Sequence, residues 1–398
     1  MTARAVDEAH RASSQLELLF DLAFVVAVAA VTTEFAHHIA DGRALSGLVP
    51  FLQVFFAVWW AWMNFTWFAS SYDTDDVPYR LLTMAQMAGV LVLAAGVPAA
   101  AGHSDYRAVA IGYLVMRVAL VVQWLRAGAE DPAGRRTALR YALGISVAQA
   151  GWILWLVAAE AGALPSPAQV PCFVALALLE LAVPRWAERA GPTNWHPHHI
   201  AERYGLFTII LFGESVLAVS RAVAGALDKA EVSGGLVAIA GSGLALLFAL
   251  WWLYFLVPVG TGLSDRRHLS YRWGYGHYGI YASLTALGAG LDVAVEQTAH
   301  DLRASPLAVC YAVAIPAALF VLLLWTVHMP ILGAPVLRPT LVLGGAAAVL
   351  LLPPAEARTG VVTVVASITA VCVAMTILTL IQNRDTSPER NTLVPDTP

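Results

Sequence analysis

Residues 16–38 read LELLFDLAFVVAVAAVTTEFAHH, from Leu16 to His38. As an α-helix this stretch extends about 35 Å at about 1.5 Å per residue, enough to cross a hydrocarbon layer about 30 Å thick. Its charges are Glu17, Asp21 and Glu34, and it holds no Lys or Arg. It reads as a membrane-spanning helix. Glu17 and Asp21 would fall inside the apolar core of a cleavable leader, so a retained first span is the expected reading.

Moving outward, comparable apolar stretches follow at 47–70, 79–101, 106–125, 140–160 and 170–186. Six more run at 200–224, 235–257, 274–297, 306–328, 338–353 and 360–381. The eleventh, enclosed between Pro339 and Pro353 and rich in Gly and Ala, is the weakest. No polar stretch between them is long enough for an independent soluble domain. The composition agrees: of 398 residues 59% are apolar and 13% charged, where a soluble protein carries roughly twice that charge fraction. The predicted fold is all-α, a polytopic helical bundle of about twelve spans. Cys172, Cys310 and Cys372 lie inside apolar runs and read as small hydrophobes.

The loop arginines set an expected orientation. Arg4, Arg11, Arg80, Arg126, Arg135, Arg136, Arg140, Arg185, Arg189 and Arg203 fall on one side, with Arg266, Arg267, Arg272, Arg338, Arg384 and Arg390. That makes 16, against 6 on the other side: Arg43, Arg107, Arg221, Lys229, Arg303 and Arg358. The positive-inside bias puts both termini in the cytoplasm of a cell membrane and requires an even number of spans, so the eleventh should cross. The net charge of −4 gives no case for nucleic acid as a partner. The bilayer itself is the first partner, a small ion or small molecule the expected cargo, and a homo-oligomer is left open. No cofactor is called for.

The chain also repeats itself. Phe56-Ala57-Val58-Trp59-Trp60 returns as Phe248-Ala249-Leu250-Trp251-Trp252, Tyr79-Arg80 as Tyr271-Arg272, and Leu19-Phe20 as Leu211-Phe212, each at a shift of 192. Six spans per half give both halves the same orientation, as in parallel repeats related by an axis along the membrane normal. The expected organisation is therefore a cytoplasmic segment 1–15, a first six-helix half 16–190, a second half 191–381, and a disordered cytoplasmic tail 382–398 carrying Pro388, Pro395 and Pro398.

Charges inside spans carry the functional reading, because each costs about 2.5–3.5 kcal/mol at a helix centre and normally faces the bundle interior with a partner. Glu17 and Asp21 are four apart and share a face. Asp21 maps under the 192 shift to Gly213, one place from Glu214, so both halves carry a carboxylate at nearly the same level of their first helix. Asp21 and Glu214 are the predicted titrating pair, with Glu17, Glu202 and Arg117 as further ion- or proton-coupling candidates. Arg117 lies within the fourth span and is the natural counter-charge for one buried carboxylate. Gly213, next to Glu214, is expected to let the backbone unwind around a site, with Phe20, Phe212 and Ser215 lining the pore or interface between the halves.

Each of these residues also has a structural reading; for Asp21 and Glu214 it is pairing with a buried Arg or capping a broken helix. Ser14-Gln15-Leu16-Glu17 is a capping box. Glu34 with His37 and His38, and Asp292 with Glu296, sit close enough to the outer interface to be solvated. His198, His199 and Glu202 have metal-ligand chemistry but no H-E-x-x-H pattern and no cysteine ligand, a weak signal. His277 and His328 read as proton relays or as hydrogen-bonded core imidazoles. The aromatic stripe Phe55, Phe56, Trp59, Trp60, Trp62, Phe65, Trp67 and Phe68 reads as lipid or helix packing, or as a cage for a cationic substrate.

The segment Leu16-Glu17-Leu18-Leu19-Phe20-Asp21-Leu22-Ala23-Phe24, followed later by Glu202-Arg203-Tyr204-Gly205-Leu206-Phe207-Thr208-Ile209-Ile210-Leu211-Phe212-Gly213-Glu214-Ser215, resembles the bacterial low temperature requirement protein A (LtrA) family. Trp59-Trp60 and the approach through His198-His199 fit the same resemblance, which covers nearly the whole chain. Phe212 stands where the family more often has Leu. The resemblance implies a multi-pass membrane protein linked to growth in the cold and no settled activity. The two repeats are also similar, more distantly, to lysosomal potassium channels with an Arg…Phe-Ser-Asp signature, although Arg11 is wrongly spaced and the Ser is absent.

A proton- or cation-coupled transporter using intramembrane carboxylates is thus the leading expectation. A cation channel constricted by Phe20 and Phe212, a membrane enzyme built on the histidine loop, and a structural or lipid-sensing protein of cold growth are the alternatives.

Overall fold

The computed structural model describes residues 1, 4, 12–228, 233–333 and 336–385. Arg11, Lys229 and the tail from 386 onward lie outside the described residues. Within them no strand occurs, and twelve helices are long and apolar enough to cross a membrane. The chain is a polytopic helical membrane protein.

Two compact units divide it, one of residues 1–38 and 44–214, the other of 39–43 and 215–398. The first contains most of α1 (Gln15–Ala40), then α2 (Ala44–Ser71), α3 (Val77–His103), α4 (Arg107–Glu130), α5 (Arg135–Glu160), α6 (Ser166–Glu188) and the opening part of α7 (Pro197–Asp228). α1 starts where it does because the capping box forms: the Ser14 amide donates to Glu17 at 2.8 Å and the Glu17 amide to Ser14 Oγ at 3.3 Å. Asp76 caps α3 by accepting from the Tyr79 amide at 3.0 Å, with Pro78 in the first turn, where its missing N–H costs nothing.

Small residues hold α3 against α4. A Cβ on Gly112 would lie 2.4 Å from the Leu93 backbone nitrogen and 2.5 Å from the Gly89 carbonyl oxygen, so the two backbones touch where neither helix has a side chain. In lipid, where apolar side chains gain little by leaving their surroundings, such close backbone packing is what joins helices. The outward faces are apolar instead of polar: Leu22, Leu154 and Leu178 are each 60–69% exposed, the inverse of a water-soluble surface and suited to acyl chains.

The second unit holds the rest of α7, then α8 (Gly234–Tyr254), the short α9 (Gly260–Asp265), α10 (Ser270–Glu296), α11 (Pro306–Leu332), α12 (Pro339–Leu351), the single turn α13 (Glu356–Thr359) and α14 (Val361–Asp385). α10 packs on α11 through Gly290, whose Cβ would collide with the Ala312 carbonyl. The weak eleventh span is a broken helix. α12 has only 13 residues, about 20 Å, and reaches the length of a span only with the 3₁₀ turn Pro353–Ala355 and α13 added. α14 runs four residues past Ile381, the end expected from hydropathy.

Candidate functional site

Two i, i+4 pairs on neighbouring helices build a charged cluster inside the first unit. Glu17 and Asp21 come from α1; His199 and Arg203 come from the first turns of α7. Arg203 donates to Asp21 through Nε at 3.1 Å and Nη2 at 2.6 Å, and its Nη1 lies 2.8 Å from Glu17 Oε1. His199 Nε2 lies 3.0 Å from the same Glu17 oxygen. The Trp62 indole of α2 donates to Asp21 Oδ1 at 2.8 Å. Glu17 meets residue 199, Asp21 residue 203 and Phe24 the Phe207 ring, so α1 and α7 run side by side in the same direction here.

None of the four charged or titratable residues is more than 2% exposed. The Trp62 ring that donates to Asp21 packs on Tyr204 and Phe207, with ring centres 5.0 and 4.3 Å away. Water is excluded, so each charge relies on its partners. Two carboxylates face one guanidinium, which leaves one negative charge in excess whenever the imidazole is neutral.

A second buried pair lies in the same unit. Arg117 of α4 donates to Glu180 of α6 at 3.1 Å, both 1% exposed. Glu180 also accepts from Trp60 Nε1 at 2.8 Å, Tyr113 at 3.0 Å and Trp152 Nε1 at 3.2 Å. One carboxylate balances one guanidinium, and this assembly is neutral.

The family model for bacterial low temperature requirement A protein (LtrA) matches residues 12–380. The chain belongs to the LtrA family. It is also similar to Uncharacterized protein RA0937 of Rhizobium meliloti (strain 1021), 28% identical over 301 residues, 69% of this chain and 68% of that one.

In this LtrA chain the sequence-derived candidates separate. Glu17 serves both readings at once, as capping residue and as cluster member. Asp21 pairs with Arg203, while Glu214, also buried, lies eleven residues further along α7, about 16 Å of helix axis. Asp21 and Glu214 therefore stand at different levels. α7 passes unbroken through Gly213, which is exposed and has no atom within 4 Å of where a Cβ would sit, so the expected unwinding does not occur. Phe20 is packed against Phe24 and Phe65, with ring centres 5.0 and 4.0 Å away. Phe212 is buried, and Ser215 packs beside Gly288 in the second unit. Glu202 and His198 are exposed where His199 is buried, and among the described residues no group of three or more His, Cys, Asp or Glu is arranged to hold a metal ion.

Four participants are not assigned to these buried ion clusters by the sequence reading. Arg203 is counted there with the cytoplasmic loop charges, yet it is wholly buried; removing it leaves a 15-to-6 bias of the same sign. Glu180 stands alone in an apolar run and is the partner that Arg117 lacks in the sequence reading. Trp60 and Trp62 look like packing within the aromatic stripe and instead spend their indole N–H groups on the two buried carboxylates. In the second unit, His277 and His328 are core imidazoles as expected: their Nε2 atoms are 3.4 Å apart, Tyr254 contacts His277 Nε2 at 3.1 Å, and His277 Nδ1 lies 2.7 Å from the Trp273 carbonyl oxygen.

Proposed function

We propose that this LtrA-family chain is a proton- or cation-coupled transporter of the bacterial cell membrane, and that the cluster of Glu17, Asp21, His199 and Arg203 is its coupling site. The observation that carries the reading is the charge imbalance: two carboxylates, one guanidinium and one imidazole, all buried in membrane-spanning helices. A charge-balanced pair, such as Arg117 with Glu180, needs no further charge. The α1–α7 cluster is one positive charge short, and a proton on the imidazole or a carboxylate, or a small cation, supplies it. Loading and releasing that charge switches the cluster between a neutral and an anionic state. Arg203, which reaches both carboxylates, is placed to redistribute its hydrogen bonds as the charge changes. With both termini in the cytoplasm, as the arginine bias implies, the start of α1 and α7 places this site near the cytoplasmic side.

The test is flux in proteoliposomes, with an internal pH dye and with potassium and sodium gradients, for the wild type, Asp21→Asn and His199→Gln. Gradient-driven proton or cation movement that Asp21→Asn abolishes, and whose pH dependence His199→Gln flattens, is the expected result. Wild-type protein that moves no proton and neither cation under any gradient overturns the reading and leaves the cluster a structural one.

A further inference from the structure

A cavity of about 50 Å³ lies between α2, α4, α5 and α6 of the first unit. Its walls are aromatic: Phe56, Tyr106, Trp152, Trp155 and Phe173 among them. The rings brace one another, Trp152 on Phe173 at 4.8 Å, Trp155 on Phe173 at 6.0 Å and Tyr106 edge-on to Trp155 at 5.7 Å. The concavity is thus formed before anything enters it. Ile153 lines it and is itself 42% exposed on the lipid-facing side of α5, which puts the mouth on the apolar surface.

The hydrogen-bond inventory of the walls selects the ligand. Tyr106 donates to Gln53 Oε1 at 2.8 Å, Trp155 to the Gln169 carbonyl at 3.1 Å, and Trp152 and Tyr113 to Glu180. Each of these donors is engaged. Gln149 also lines the cavity and is 7% exposed, yet its Oε1 has no hydrogen-bond partner among the described residues. A buried amide oxygen left open in a largely apolar cleft is a recognition element, because whatever enters must leave it unsatisfied or bond to it. No uncompensated charge faces the space, since Glu180 beneath it is already held by Arg117 and three neutral donors.

We infer that this cavity is a binding site for an uncharged, slender, membrane-soluble molecule bearing a hydroxyl group, with the apolar body between the aromatic walls and the hydroxyl on the Gln149 amide. A hydroxyl both donates and accepts, so it serves either end of that amide. Entry is from the lipid phase past Ile153. The site is separate from the α1–α7 ion cluster and does not depend on it.

Photolabelling of the whole protein in liposomes tests this, with a diazirine analogue of 1-octanol as the probe and the hydroxyl-free diazirine octane as its control. The expected result is labelling of α5 and α6 residues at the cavity, competed by unlabelled octanol and reduced at least fivefold in Gln149→Leu. Labelling of outward residues such as Leu178 should stay unchanged in that variant. Ala110→Phe fills the cavity with Gln149 intact and should also abolish the cavity label; size-exclusion profiles check that both variants are folded. Equal labelling by the two probes, a cavity label indifferent to Gln149→Leu, or label spread evenly over the lipid-facing helices overturns the assignment.

Discussion

Arg203 grips Asp21 with two donors, Nε at 3.1 Å and Nη2 at 2.6 Å, and holds its third nitrogen 2.8 Å from Glu17. The fork geometry of a guanidinium matches a carboxylate in a way an ammonium cannot, so this is not a site where Lys replaces Arg.

Removing the cation strands two buried carboxylates. Arg203→Met should therefore destabilise the protein by about 3–5 kcal/mol, and Arg203→Lys by less. Adding Asp21→Asn and Glu17→Gln to Arg203→Met should recover much of the loss, since no charge is then left unpaired. Thermal unfolding in detergent, followed by reaction of the buried thiols of Cys310 and Cys372, measures this. A triple variant no more stable than Arg203→Met alone would contradict the pairing.

Arg117 and Glu180 offer an independent double-mutant cycle. Glu180→Gln leaves Arg117 buried without its carboxylate and should cost about 3–5 kcal/mol, while Glu180→Gln with Arg117→Met should cost clearly less than the sum of the two singles. Because this pair is neutral, neither single variant should alter the pH dependence of any flux the protein carries. Additive losses would mean that the two side chains do not interact.

At the α2–α3 turn, hydrogen bonding to Arg126 holds the Asp76 carboxyl down at about 2, below its ordinary 3.8. A lowered carboxylate stabilises the fold above its unfolded-state value and ceases to do so as the pH falls through the folded-state value. Asp76→Asn keeps the helix cap and cannot titrate, so it should be less stable than wild type at pH 7 by about 0.5 kcal/mol. That gap should close as the pH drops from about 4 towards 2. Melting temperatures of both proteins across this range decide it, and a gap independent of pH would sink the idea.

Two glycines make opposite predictions. Gly112→Ala puts a methyl into the α3 backbone and should destabilise by about 1–3 kcal/mol. Gly213→Ala meets nothing within 4 Å on an exposed helical face and should be neutral or stabilising by up to about 1 kcal/mol. Comparable losses at both positions would mean that packing between α3 and α4 is not what Gly112 serves.

The sequence by itself determined the number and approximate positions of the spans. The free energy of moving a segment into lipid is a sum over its own residues, so it can be read one window at a time. The eleventh span stood out as weak for the same local reason, its short stretch between two prolines. The capping box at Ser14 and Glu17 was legible too, being complete within four residues. Only the tertiary structure decided which charges meet. Arg203 lies 182 residues from Asp21, Glu180 lies 63 from Arg117, and Trp62 lies 41 from Asp21. Those pairings depend on which helix faces come together, which no single segment encodes. The repeat drew attention to Asp21 and Glu214 because it compares residues along the chain; the fold instead joined Asp21 to the residue across from it, because a buried charge is stabilised only by what lies within a few ångströms.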